Sequence, residues 1–108
     1  PAYQDYVIKA KVAQAVSETA AFRDALGSYY LQNETIPDSL EAAGVPAALP
    51  DGTRLTLEQD GMLLVATMAK GTLIFVPSQD ASGRITWVCQ NGQGLKPTHL
   101  PASCRSEE

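Results

Sequence analysis

Long apolar runs are missing from this 108-residue chain. No stretch of eighteen or more apolar residues occurs, so no helix within it is long and apolar enough to cross a membrane. An excess of basic charge is missing as well: 8 Lys and Arg stand against 12 Asp and Glu, for a formal net charge of −4. That balance speaks against general affinity for nucleic acid or anionic lipid, and DNA is not indicated as a partner. Histidine occurs once and cysteine twice, too few for a zinc site, and the cysteines lack the CxxC spacing of a redox centre. No GxSxG turn is present. The spacing of a calcium loop is absent too, so Asp60, Asp80 and Ser82 read as turn residues. No catalytic group, metal or cofactor is therefore expected. An initiator methionine and a signal peptide are also lacking. The chain opens directly on PAYQDYVIKAKVAQAV, an alanine-rich helical pattern that reads as the second half of something longer, with Pro1 in its first turn.

What is present fits one domain covering residues 1–108. Ile8, Val12, Ala15, Val16, Thr19, Phe22, Leu26 and Tyr29 recur at spacings of three and four, which predicts one amphipathic helix over 1–30. Gly27 is a weak stop signal inside that pattern. Thirty helical residues span roughly 45 Å, more than so small a domain covers, so one end is expected to protrude. Over 31–52 the period dissolves into an irregular connection. Ser39 to Ala43 is predicted to form a single helical turn there, between Pro37-Asp38 and Gly44.

Four strands are predicted across 53–89. Arg54–Glu58 alternates polar with apolar, Asp60-Gly61 reads as a two-residue hairpin turn, and Met62–Met68 follows. Lys70-Gly71 turns again, Thr72–Val76 is ended by Pro77, and Arg84–Val88 closes the series. Short connections imply an antiparallel meander. Its apolar face, including Leu73, Phe75 and Trp87, is expected to cover the helix. The fold class is thus α+β: a long N-terminal helix on a four-stranded antiparallel meander.

Cys89 and Cys104 bracket an aperiodic stretch, QNGQGLKPTHLPAS. The pair reads either as one disulfide or as two unrelated thiols. The disulfide is the favoured alternative, and it implies an oxidising compartment. A bridge of that loop length stabilises by roughly 3 kcal/mol in the chain-entropy model. The tail at 105–108 is expected to fray. His99, with Lys96 and Thr98 nearby, has no acidic residue between the cysteines to complete a hydrolytic set, and it reads as a solvated loop residue. Asp5, Lys9, Lys11, Glu18, Arg23 and Asp24 read as a solvated helix face with weak ion pairs.

The opening PAYQDY, the Trp87-Val88-Cys89 of the last strand and the Leu100-Pro101-Ala102-Ser103-Cys104 that closes the loop together resemble type IV pilins of Gram-negative bacteria. The resemblance implies a pilin fold, with 1–30 as a packing helix, 31–52 as a connecting loop, 53–89 as the sheet and 89–104 as a disulfide loop. It also implies a preceding apolar segment of about twenty residues with a free or methylated amine, which anchors the subunit in the inner membrane before assembly into an extracellular pilus. Pro1 then becomes a mid-helix proline of the complete subunit. The implied partners are other copies of the chain and the pilus assembly machinery, and host glycans or surfaces are further candidates. The implied work is polymerisation for adhesion, twitching motility or DNA uptake. Tyr3, Tyr6, Val7 and Ala10 are the candidate filament-packing residues, because the head is too small to cover them. Gln93, Lys96, Pro97, Thr98 and His99 form the candidate receptor-binding loop. The competing readings are a type II secretion pseudopilin and a stand-alone secreted binding module.

Overall fold

The computed structural model describes residues 2–67, 71–101 and 104. Helix α1 runs Ala2–Glu18 and α2 runs Ala20–Asn33. Strands β1 (Arg54–Leu57), β2 (Leu63–Ala66), β3 (Thr72–Gln79) and β4 (Ile85–Asn91) form one antiparallel sheet in the order β1-β2-β3-β4. The α+β architecture and the meander are therefore as expected. A 3₁₀ turn at Glu41–Ala43 stands where the helical turn was predicted. Pro1, Met68, Ala69, the Lys70 of the Lys70-Gly71 turn, Ala102, Ser103 and the 105–108 tail lie outside the described residues.

The first helix departs from the single rod over 1–30 at Thr19. The Thr19 backbone has ψ 2°, and its hydroxyl donates to the Ala15 carbonyl oxygen at 2.8 Å. Such back-bonding to the preceding turn competes with the helical ladder and bends it. The loosened Val16 carbonyl accepts from Arg23 Nη2 at 3.2 Å, and Arg23 Nη1 donates to Thr19 Oγ1 at 2.6 Å. Arg23 is thus no solvated ion-pair residue: its guanidinium also lies 4.1 Å over the Phe75 ring. Burial pulls its proton affinity down from the usual arginine range. Gly27 does not stop the helix. It is buried, and a Cβ there would sit 3.2 Å from Ile85 Cβ, so its lack of a side chain lets α2 lie close on β4.

The sheet's alternation puts Leu55, Leu63, Val65, Leu73 and Phe75 on the helix side, all buried, where they join Val12, Ala15 and Leu26. Trp87 packs on the same core and donates from its indole to the Arg23 carbonyl at 3.2 Å. Pro77 does not end β3, which continues to Gln79 opposite Ile85. By the alternation of the ladder, the missing Pro77 N–H faces the β2 side. There β2 has already ended, with Leu63 opposite Phe75, so no ladder bond is lost. The Asp60-Gly61 turn is also longer than the two-residue form. Gly61 N donates to the Glu58 carbonyl at 3.0 Å and Glu58 N to the Met62 carbonyl at 2.9 Å, with Gly61 at φ 93°. This is a three-residue loop with glycine in the left-handed position. The β3–β4 hairpin repeats the bonding, Gly83 N to Asp80 O at 3.0 Å and Asp80 N to Arg84 O at 2.8 Å.

Tyr30 stands where α2 meets the first hairpin. Its hydroxyl donates to the Gly61 carbonyl at 3.0 Å, and its ring lies 6.0 Å from that of Trp87. Burial, with Asp60 adding to it, pushes the phenol up to about 12. A raised folded value favours the neutral form, so its contribution to stability is intact below pH ~10 and is lost as pH rises toward 12. Titration followed at 295 nm is expected to end on a tyrosinate step near pH 12. Tyr30→Phe should remove that last step.

Candidate contact surfaces

Two surfaces carry the residues singled out in the sequence. The first is the N-terminal half of α1. Tyr3 is 75% and Tyr6 70% exposed, Ala10 is exposed, and Val7 is half-buried. Ile8 turns the other way, against the core. Of the four candidate packing residues, Tyr3, Tyr6 and Ala10 are open to solvent and Val7 is partly covered. Two aromatic rings are thus left in water on adjacent turns, exposed apolar surface of the kind interfaces commonly use.

The second surface is the loop after β4. Cys89 and Cys104 form a disulfide closing 15 residues of separation, with both cysteines buried. The loop begins with a bulge: Gly92 N donates to the Thr72 carbonyl at 2.7 Å, while Thr72 N donates to the Gln93 carbonyl at 2.8 Å. Two residues on one strand thus face one on the other, which turns the chain out of the sheet. A Cβ on Gly92 would meet the Thr72 oxygen at 2.9 Å and Ile74 Cγ1 at 3.2 Å. Gly92→Val is therefore expected to lose about 1–3 kcal/mol through overpacking, measurable as a lower urea midpoint. Leu95 and Leu100 turn inward and are buried. Asn91 Nδ2 donates to the Leu95 carbonyl at 3.0 Å, and a 3₁₀ turn at Pro97–His99 follows.

Of the five candidate loop residues, Gln93, Lys96, Pro97 and Thr98 are exposed, whereas His99 is only 5% exposed. The expectation of a solvated histidine is corrected, and the physical reason is its two partners. Nδ1 accepts from the Lys96 backbone N–H at 3.1 Å. With that nitrogen accepting, Nε2 carries the proton and faces Asp5 Oδ1 at 3.3 Å. The single histidine ties the disulfide loop to α1 across 94 residues of sequence. No local pattern announces a contact of that separation, which is why sequence reasoning missed it. Asp5→Leu should leave the buried Nε2–H unpaired and cost about 1–3 kcal/mol. Asp5→Asn, whose side-chain oxygen still accepts, should restore most of it. Hydrogen exchange of the 96–100 amides separates the two variants.

Beside the disulfide, Cys89, Asn91, Pro97, Thr98 and Leu100 line a mostly apolar hollow of about 430 Å³. The loop therefore presents a fixed main chain, three polar side chains and a shallow apolar recess.

An exposed helical spine, a meander laid on its second half, and a disulfide-closed loop packed back onto the first half describe a protein that works through its surfaces. The pilin family model, for proteins of bacterial filaments, matches residues 8–105, and the chain belongs to that family. A type IV major pilin protein of Neisseria gonorrhoeae is 25% identical over 97% of the chain and 79% of its own length. A fimbrial protein of Eikenella corrodens is 25% identical over 98% and 76%, and one of Pseudomonas aeruginosa 29% over 96% and 80%. The protein is a structural pilus subunit.

Proposed function

We propose that the chain is a subunit of a type IV pilus, held in the inner membrane before assembly and extracellular afterwards, and that its filament serves adhesion, twitching motility or DNA uptake. The observation that carries this reading is the match of the pilin family to residues 8–105, together with relatives whose names place them in type IV pili and fimbriae. The exposure of Tyr3 and Tyr6 supports α1 as the packing element. In the filament, Tyr3, Tyr6, Val7 and Ala10 lose their solvent to neighbouring copies, and polymerisation uses the apolar area so removed. Assembly machinery in the cell envelope supplies the work.

The disulfide loop is the outward contact surface in this reading. Gln93, Lys96, Pro97 and Thr98 are the contact residues, and His99 positions them from beneath. A loop held by a covalent bridge, a bulge and the His99 contacts loses little freedom on binding, which suits recognition of glycans or other polar surfaces. No chemical step is assigned to any residue.

The test is expression of the complete open reading frame in a pilus-null host with the assembly machinery intact. Filaments seen by electron microscopy are the expected result. A folded, secreted or membrane-retained product without filaments overturns the reading. Replacing Lys96 and Thr98 by alanine should leave filament yield unchanged and weaken binding to host cells.

A further inference from the structure

The C-terminal end of α2 borders a hollow of about 600 Å³ between the helix end, the first hairpin and the far end of β3. Its walls include the apolar side chains of Leu31, Ile36, Pro77 and Ile85. Leu31 is 44% exposed there, although it is a large aliphatic residue. Its charged members are Glu34 and Asp60, both exposed, and among the described residues no lysine or arginine lines it. Two arginines, Arg23 and Arg84, line an adjoining hollow together with Asp24. The helix's last carbonyls add partial negative charge at the same place.

Glu34 is an odd choice for its position. It is the residue that caps α2 in the left-handed conformation, with φ 54° and its N–H donating to the Tyr30 carbonyl. Glycine or asparagine takes that conformation at lower cost. A side chain kept there against backbone preference points to a use for its carboxylate. The floor of the cleft is rigid, since the Tyr30 hydroxyl is committed to the Gly61 carbonyl and the Asp60 carboxylate accepts from Met62 N at 3.2 Å.

The complementary surface stands at the other end of the same molecule. Tyr6, Lys9 and Ala10, at spacings of three and four, share one face of α1, and all three are exposed. They offer a phenol ring and an ammonium on an aliphatic stem, which match apolar walls ending in two carboxylates. Resting on the reading of the chain as a filament subunit, we propose that the cleft at the end of α2 receives α1 of a second copy, with its Lys9 at Glu34 and Asp60 and its Tyr6 on Leu31 and Ile36. Lys9 and Glu34 are 25 residues apart on either side of the Thr19 bend, so about 38 Å is the most that can separate them along the helical path. One copy therefore docks head to tail on another, and the pair keeps one α1 and one cleft free. A contact between two different patches repeats without closing unless a rotation brings it into a ring, and its open form is a helical filament.

The test uses filaments of the full-length protein assembled from a mixture of unlabelled and isotope-labelled chains. Zero-length carbodiimide coupling is expected to give mixed-isotope peptides joining Lys9 to Glu34 or Asp60. Cross-linked filaments in which Lys9 joins only other acids overturn the proposal and leave the filament reading standing. Failure of the wild-type protein to form filaments overturns both. In a second arm, Lys9→Glu should lower the yield of sheared filaments at least tenfold, and adding Glu34→Lys should restore it. A Lys9→Glu chain that assembles at the wild-type yield overturns the docking; the melting temperature of each variant confirms that its head is folded.

Discussion

Reduction of the Cys89–Cys104 bridge is expected to destabilise the domain by about 3 kcal/mol, the chain-entropy value for a loop of this length, given a separation of 15 residues. For a domain of this size that amounts to a fall in melting temperature on the order of 10–20 °C. The effect should be concentrated where the loop lacks sheet bonding. Past the Gly92 and Gln93 bonds to Thr72, the loop's backbone hydrogen bonds among the described residues include the short-range Leu95 N to Gly92 O at 3.4 Å, Leu100 N to Pro97 O at 3.2 Å and Cys104 N to Pro101 O at 2.9 Å. The longer-range contacts are buried Leu95 and Leu100 and the His99–Asp5 contact. Calorimetry of the Cys89→Ser, Cys104→Ser variant, against the oxidised parent, gives the number. Because the double serine variant also puts two hydroxyls at buried positions, reduction of the parent by thiol provides the independent comparison. Agreement of the two identifies the bridge as the source, and a melting temperature unmoved by either would show that the loop is held without it.

Truncation of Phe75 to alanine is expected to cost more, about 3–5 kcal/mol. Phe75 is 2% exposed and sits in the middle of the sheet, opposite Leu63 on one side and Cys89 on the other. Its ring also carries the Arg23 guanidinium at 4.1 Å. Removing the ring opens a cavity and takes away a cation–π contact of about 0.5–2 kcal/mol. It also strips cover from a half-buried charge whose other partners are Thr19 Oγ1 and the Val16 carbonyl. The damage should therefore reach the helix bend. Phe75→Leu keeps most of the volume and loses the ring, so the difference between the leucine and alanine variants isolates the cavity. Urea denaturation followed by Trp87 fluorescence reads both, since Trp87 packs on the same core. Against total stabilities of about 5–15 kcal/mol for domains in general, a loss of about 3–5 kcal/mol removes a large share of the folding free energy and should lower the urea midpoint of Phe75→Ala accordingly.

Much of the architecture was legible from local pattern. The three-and-four spacing of Val12, Ala15, Thr19 and Leu26 marked the buried stripe of the helix, and all four are buried. Alternation through Leu73 and Phe75 marked the core side of β3. These signals survive because burying one face of a helix or strand constrains residues only a few positions apart. The bend at Thr19, the continuation of β3 through Pro77 and the inward turn of His99 were not legible. Each depends on a partner remote in sequence or on the length of a neighbouring strand. A threonine accepts a helical pattern equally well whether or not its hydroxyl bonds back to Ala15, and Arg23 stabilises the bent form by spanning the gap to Val16. A proline reads as a strand end until it is known that β2 stops short of it.

The sequence alone determined the class of structure, the spacing of its apolar faces and the presence of two cysteines at the ends of one loop, because periodicity and covalent reach are local properties of a chain. Tertiary structure decided which surfaces remain for contact. It set the exposure of Tyr3 and Tyr6, withdrew His99 from the loop's outer face, and brought Glu34 and Asp60 to one cleft. Those outcomes depend on which segments meet, and two residues 94 positions apart become neighbours only when the helix and the loop pack together.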